Sequence, residues 1–156
     1  MKNILKLSFL LTAAILITSC ENDDDEATFV QPNYLAGKWV PVEMGTLDDE
    51  NILNYFPYEN DAECDADFLQ LNEDMTYTYS DSEYNGATCD ATVIEGDYRR
   101  ENKVLFLTTL EDVDGVPTEF ETSRNLISLT YDTMEISYTD ETTGDVTFIK
   151  LEKQNP

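Results

Sequence analysis

Histidine is absent from this 156-residue chain, and basic residues are scarce: nine lysines and arginines stand against 33 aspartates and glutamates. Without imidazole, the most frequent general base and the most frequent nitrogen ligand for transition metals are both missing. The formal charge of −24 repels phosphate backbones and anionic headgroups, so nucleic acid is excluded as a partner, as is an electrostatic hold on a membrane surface. There are only three cysteines and one tryptophan, and no C-x-x-C pair that would begin a zinc site. Long apolar runs are missing too. The most apolar stretch, 4–17, supplies fourteen residues, fewer than the roughly 20 that a membrane-spanning helix needs.

That stretch does have the order of an export signal. A short basic start (Lys2, Lys6) precedes an apolar segment to Ile17, and small residues follow before Cys20. Ile17-Thr18-Ser19-Cys20 resembles the lipobox of bacterial lipoproteins: an aliphatic residue, two small ones, then cysteine. The resemblance implies that residues 1–19 are removed and that Cys20 becomes the acylated first residue of the mature protein. Two or three acyl chains anchor stably, because each buried methylene contributes about 0.8 kcal/mol. Loss of Lys2 and Lys6 leaves seven basic residues against 33 acidic ones, a mature charge of −26.

Behind Cys20, Glu21-Asn22-Asp23-Asp24-Asp25-Glu26 contains no apolar residue. Self-repulsion should keep such a block extended, and residues 20–34 read as a disordered spacer. The block also resembles the short acidic motif that directs some Gram-negative lipoproteins to the outer face of the outer membrane. Surface exposure is therefore the expected location, with a periplasm-facing protein as the alternative. The 137 mature residues suit one domain, placed at 35–153. In an oxidising compartment the remaining even pair, Cys64 and Cys89, reads as a disulfide.

From Leu35 onward, runs of β-branched and aromatic residues alternate with turn residues, and no long stretch holds a helical apolar period. Strands are expected at about 35–44, 67–72, 75–81, 91–100, 103–110, 118–129, 133–139 and 145–152. Short joints such as Asn72-Glu73-Asp74, Glu101-Asn102 and Asp112-Val113-Asp114-Gly115 make sequence neighbours hairpin partners. Consecutive hairpins form an up-and-down meander, which closes as a barrel without free edges. The fold class is all-β, an eight-stranded antiparallel up-and-down barrel. Residues 45–63, with Ile52, Leu53, Tyr55, Phe56 and Tyr58, are too long for a simple connection. Such a connection has a job or carries a helical turn of its own, and it reads either as a lid over one mouth or as an apolar loop packed outside and stapled by Cys64.

Gly37-Lys38-Trp39 resembles the Gly-x-Trp of the first lipocalin strand, where tryptophan closes the barrel base. Residues 34–152 are similar to a family of lipocalin-like lipoproteins in the order of their parts: lipobox, Gly-x-Trp strand, cysteine, Phe68-Leu69-Gln70-Leu71 before an acidic turn, second cysteine, and a glycine-bearing strand at Glu95-Gly96-Asp97-Tyr98. The arginine that packs over the tryptophan in true lipocalins has no clear counterpart among Arg99, Arg100 and Arg124.

No nucleophile and base pair is evident, so no catalytic residues or cofactors are expected. Asp112–Gly115 and the acids Asp61, Glu63, Asp65 and Asp67 read as turn and surface acids rather than a metal site, because the first lacks the further oxygen ligands of a calcium loop. The barrel interior remains. Tyr77, Tyr79, Tyr98, Phe106, Phe120, Tyr138 and Phe148 either line a cavity for a small apolar or amphipathic ligand or fill the core of a monomeric interaction module that works through its surface. Replacing Cys20 with serine is expected to abolish incorporation of radiolabelled palmitate and to release the protein from the membrane fraction; labelling that persists would refute the lipobox reading.

Overall fold

The computed structural model describes residues 33–154; the expected signal peptide, Cys20 and the acidic block behind it lie outside those residues. Nine strands follow one another: β1 (Gly37–Leu47), β2 (Leu53–Pro57), β3 (Phe68–Leu71), β4 (Thr76–Tyr84), β5 (Cys89–Glu101), β6 (Val104–Val113), β7 (Val116–Leu129), β8 (Thr133–Thr139) and β9 (Val146–Gln154). Every pairing is antiparallel, each strand from β3 to β9 lies beside its sequence neighbour, and β1 closes the ring by pairing with both β3 and β9. The result is a closed eight-stranded barrel, consistent with a lipocalin-like barrel, with β2 as one extra strand.

The turns follow from their residues. Val113 faces Val116 across Asp114 and Gly115, both at positive φ (55° and 81°), a conformation that Asp tolerates and Gly adopts freely. Asn102 takes positive φ between β5 and β6. The Asp140 carboxylate accepts the Thr142 and Thr143 amides at 2.7 and 3.0 Å, folding the longer β8–β9 connection back on itself.

Most of the segment expected as a lid or an outside loop is a hairpin instead. β1 runs on to Leu47, and Leu53–Pro57 returns as β2, a hairpin closed by the Asp48 carboxylate accepting the Glu50 and Ile52 amides at 2.9 Å. β2 and β3 share one edge of β1, with β2 against Glu43–Leu47 and β3 against Gly37–Trp39. The chain leaves the sheet between them, from 58 to 67. The Tyr55 ring lies under the Lys150 ammonium, 3.6 Å from its centroid, and its hydroxyl donates to Glu135, which ties β2 to the outer wall. Asn33 and Tyr34, expected in the spacer, belong to the domain instead: the Asn33 side chain accepts the Leu35 amide, and the Tyr34 ring meets Tyr131 edge-on.

The core is concentrated at one end, the base, where Trp39, Leu71, Leu105 and Met134 are fully buried. Toward the other end, the mouth, the ring divides. All pairs made by Val116–Arg124 of β7 are with β6, and β8 joins β7 only over Asn125–Leu129. Likewise β3 ends at Phe68 against Ser80, leaving Asp81–Tyr84 of β4 paired only with β5. The upper barrel is thus two leaves, β2-β1-β9-β8 and β4-β5-β6-β7, separated by two seams.

Gly96 shows how closely β5 and β6 approach: a Cβ there would sit 2.0 Å from the Thr108 carbonyl oxygen and 2.9 Å from the Tyr77 ring. Backbone cannot yield as a side chain does, so Gly96→Ala is expected to destabilise the barrel by about 2 kcal/mol, in the range for overpacked cores. Urea denaturation checks this, and an unchanged midpoint would contradict the close approach.

Candidate functional site

The base is built around Trp39. Its indole N–H donates to the Leu35 carbonyl at 2.7 Å, so the buried polar atom is satisfied within the turn that precedes β1. The Lys153 ammonium lies 5.0 Å from the ring centroid and donates to the Tyr34 carbonyl at 3.1 Å. None of Arg99, Arg100 and Arg124 packs there. Gly37 explains the geometry, because a Cβ at this residue would lie 2.2 Å from Lys153 Cε. The glycine clears the path by which the lysine stem crosses the indole. Period-2 parity carried the signal for Lys153, since it shares a face with Leu151 and pairs with Trp39 across β1 and β9.

Above this floor lies a cavity of about 450 Å³, within the roughly 300–1,000 Å³ typical of small-molecule sites. Tyr77, Tyr79, Phe120 and Tyr138, four of the seven aromatics singled out from the sequence, line it. Aliphatic wall comes from Leu69, Leu107, Ile136, Ile149 and Leu151. Tyr98 is buried below them and belongs to the floor, its hydroxyl donating to the Asn72 carbonyl at 2.7 Å.

Phe106 and Phe148 were expected in the lining and are not there. Leu105 and Leu107 take the inward positions of β6, while Phe106 stacks on the outside under the Arg99 guanidinium, 3.8 Å from the ring centroid. Ile149 and Leu151 take the inward positions of β9, and Phe148 shares the outer face with Lys150, which pairs with Glu43 at 2.5 Å. Phe106 lies between Leu105 and Leu107, and Phe148 beside Ile149, so alternation alone could not choose between faces.

The two seams differ. Between β2 and β4 the 58–67 segment fills the gap with side chains instead of a strand. Asp67, 5% exposed, accepts the Ser82 amide of β4 at 2.8 Å and the Tyr58 hydroxyl at 2.8 Å. Asp61 accepts the Tyr84 amide at 2.5 Å. Two carboxylates thereby satisfy edge amides that would otherwise lack partners. Cys64 and Cys89 are disulfide-bonded, joining the segment to the start of β5. Burial, together with the Asp67 and Glu83 charges, pushes the Asp81 carboxyl up, and burial with the Asp67 hydrogen bond pushes the Tyr58 phenol up.

Among the described residues, the opposite seam, between β7 and β8, has no such fastening. At its root stands Arg124, whose guanidinium lies 4.6 Å over the Tyr138 ring. Arg124, Thr122 and Tyr138 line both the interior cavity and an outer cleft of the same seam, so the cavity wall is one residue thick here. Burial pulls the Arg124 guanidinium below its usual range, opposed by the phenols of Tyr138, Tyr79 and Tyr77. Burial also pushes the Tyr79 phenol up to about 12. Arg124 and the hydroxyl-bearing rings of Tyr77, Tyr79 and Tyr138 thus share one stretch of the cavity lining.

No protein-family model matches the chain, and neither does any curated protein. Among solved structures it is similar to the crystal structure of an uncharacterized protein from Bacteroides eggerthii DSM 20697, with 14% identity and a TM-score of 0.49 over 76% of this chain and 98% of that one.

Exchanging both Cys64 and Cys89 for serine is expected to lower stability by about 3 kcal/mol, the chain-entropy value for a loop of this length. The loss should appear in urea titrations under oxidising conditions and vanish when wild type is compared in its reduced form; a variant as stable as the oxidised wild type would argue against a fastening role.

Proposed function

We propose that this protein is a lipid-anchored, lipocalin-like binding protein of the cell envelope, tethered through Cys20 at the outer membrane and holding a small apolar or amphipathic molecule in its barrel. The observation that carries the reading is the 450 Å³ cavity itself. A barrel of eight strands is just wide enough either to be filled by side chains or to admit one small ligand. Here the side chains fill only the base. Tyr77, Tyr79, Phe120 and Tyr138 stand around open space, offering aromatic surface and hydroxyl tips.

The acidic exterior fits the same reading. It keeps the exported domain soluble and off anionic surfaces, so acyl chains on Cys20 are the means of membrane attachment. The outer-face location rests on the acidic block behind Cys20, and the protein acts as a carrier or store rather than as a catalyst.

The test is binding of N-phenyl-1-naphthylamine, an uncharged apolar fluorophore, to the exported chain beginning at Glu21, which lacks acyl groups. Fluorescence should rise on binding. Thr109→Trp places an indole inside the cavity wall and is expected to weaken binding at least tenfold while circular dichroism stays that of the wild-type barrel. If wild type gives no enhancement, or if the filled variant binds as well, the cavity is not a ligand site.

A further inference from the structure

Arg124 is the unusual feature of the cavity. The mature chain offers 33 carboxylates for seven cations, yet among the described residues no carboxylate forms a salt bridge with this one; the ion pairs there use Arg99 and Lys150. Its one protein hydrogen bond is to the neighbouring Ser123 carbonyl, at 3.0 Å. A half-buried five-donor guanidinium beside aliphatic and aromatic side chains gains from acceptors that complete its hydrogen bonds.

Among the described residues the cavity lining contains one carboxylate, Glu111, and the outer cleft adds Glu121, Asp140 and Glu141; none of them forms a salt bridge with Arg124, and Glu111 is too far to do so. Arg124 lies opposite Leu105 on β6, and Glu111 is six residues further along that strand. At about 3.3 Å per residue the two are roughly 20 Å apart. The hydroxyls of Tyr77, Tyr79 and Tyr138, which line the same cavity as Arg124, make no hydrogen bond to protein among the described residues. One cation and three hydroxyls thus converge on a space otherwise walled by aliphatic and aromatic side chains.

Building on the cavity reading, we propose that the ligand is a single-chain carboxylate amphiphile, its carboxylate held by the Arg124 guanidinium and the tyrosine hydroxyls, its hydrocarbon tail in the cavity toward Phe120 and Ile149. A guanidinium fork matches a carboxylate in two parallel hydrogen bonds. In an apolar surround that pair is stronger than at a wet surface. The unit negative charge also balances the unit positive one, whereas a phosphate dianion would leave charge over. The open seam lets a polar head reach Arg124 from outside, since Thr122 and Tyr138 border both the cavity and the outer cleft. The acidic exterior acts as a filter: free small anions are repelled, and only an anion whose tail is driven from water by its own apolar surface enters.

Isothermal titration calorimetry of the chain beginning at Glu21 with laurate, 1-dodecanol, dodecyl phosphate and dodecyltrimethylammonium tests this. Laurate is expected to bind at least tenfold more tightly than 1-dodecanol and more tightly than dodecyl phosphate, with the cationic amphiphile weakest. In Arg124→Gln the laurate affinity should fall to that of 1-dodecanol, while 1-dodecanol itself binds as before, which also shows that the variant folds. Arg124→Lys should retain part of the preference. If 1-dodecanol binds wild type as well as laurate does, or if the preference survives in Arg124→Gln, the carboxylate assignment is overturned and the cavity reading stands. Tighter binding of dodecyl phosphate overturns the choice of head group. If no chain binds at all, both readings fall.

Discussion

Burial of Trp39 under Lys153 is the constraint on which the barrel depends. Trp39 sits where β1 pairs on one side with β3 and on the other with β9, so the strands that open and close the domain meet at its ring. The indole fills the base, its N–H is answered by Leu35, and the lysine stem crosses its face through the gap that Gly37 leaves. Ring closure brings residues more than 110 positions apart into register. Such a contact carries a large loop-closure penalty before any interaction offsets it. A large aromatic with zero exposure and a cation above it is the kind of contact able to meet that penalty.

With the base solid, the mouth is free to be something else. Aromatics that would have filled a longer core stand apart, and the sheet divides into two leaves. The division is managed with acids, which this chain has in excess. Asp67 and Asp61 act as surrogate strand partners, accepting β4 amides where no backbone carbonyl is available. Carboxylates that composition alone assigns to a solvated surface therefore include two that complete the barrel wall, one of them almost fully buried.

Much of this was legible from turn chemistry and alternation. The strands from β3 to β9 were expected within a few residues of their observed ends, because Asn, Asp and Gly mark each hairpin and one face of each strand is apolar. β2 was hidden for a physical reason: in Leu53-Asn54-Tyr55-Phe56-Pro57 both faces carry aromatic or aliphatic groups, so period 2 leaves no contrast to read. The same ambiguity misplaced Phe106 and Phe148. Tertiary packing decides such cases, since the leucines and isoleucines beside them fit the narrow interior. Arg124 was readable in principle. It shares parity with Phe120, Thr122 and Leu126, but a charged residue in an acidic chain is read first as surface, and only the ring's closure shows that this face turns inward.

The Cys64–Cys89 bond lies on one seam, and among the described residues nothing comparable lies on the other. The geometry of the mouth is consequently conditional on oxidation. In the oxidised protein the two leaves share one covalent spine beside β4 and part only along β7 and β8, as a book opens. In a reducing environment the same sequence would hold that spine with carboxylate hydrogen bonds alone. The redox state of the surrounding compartment is in this sense one of the walls of the cavity.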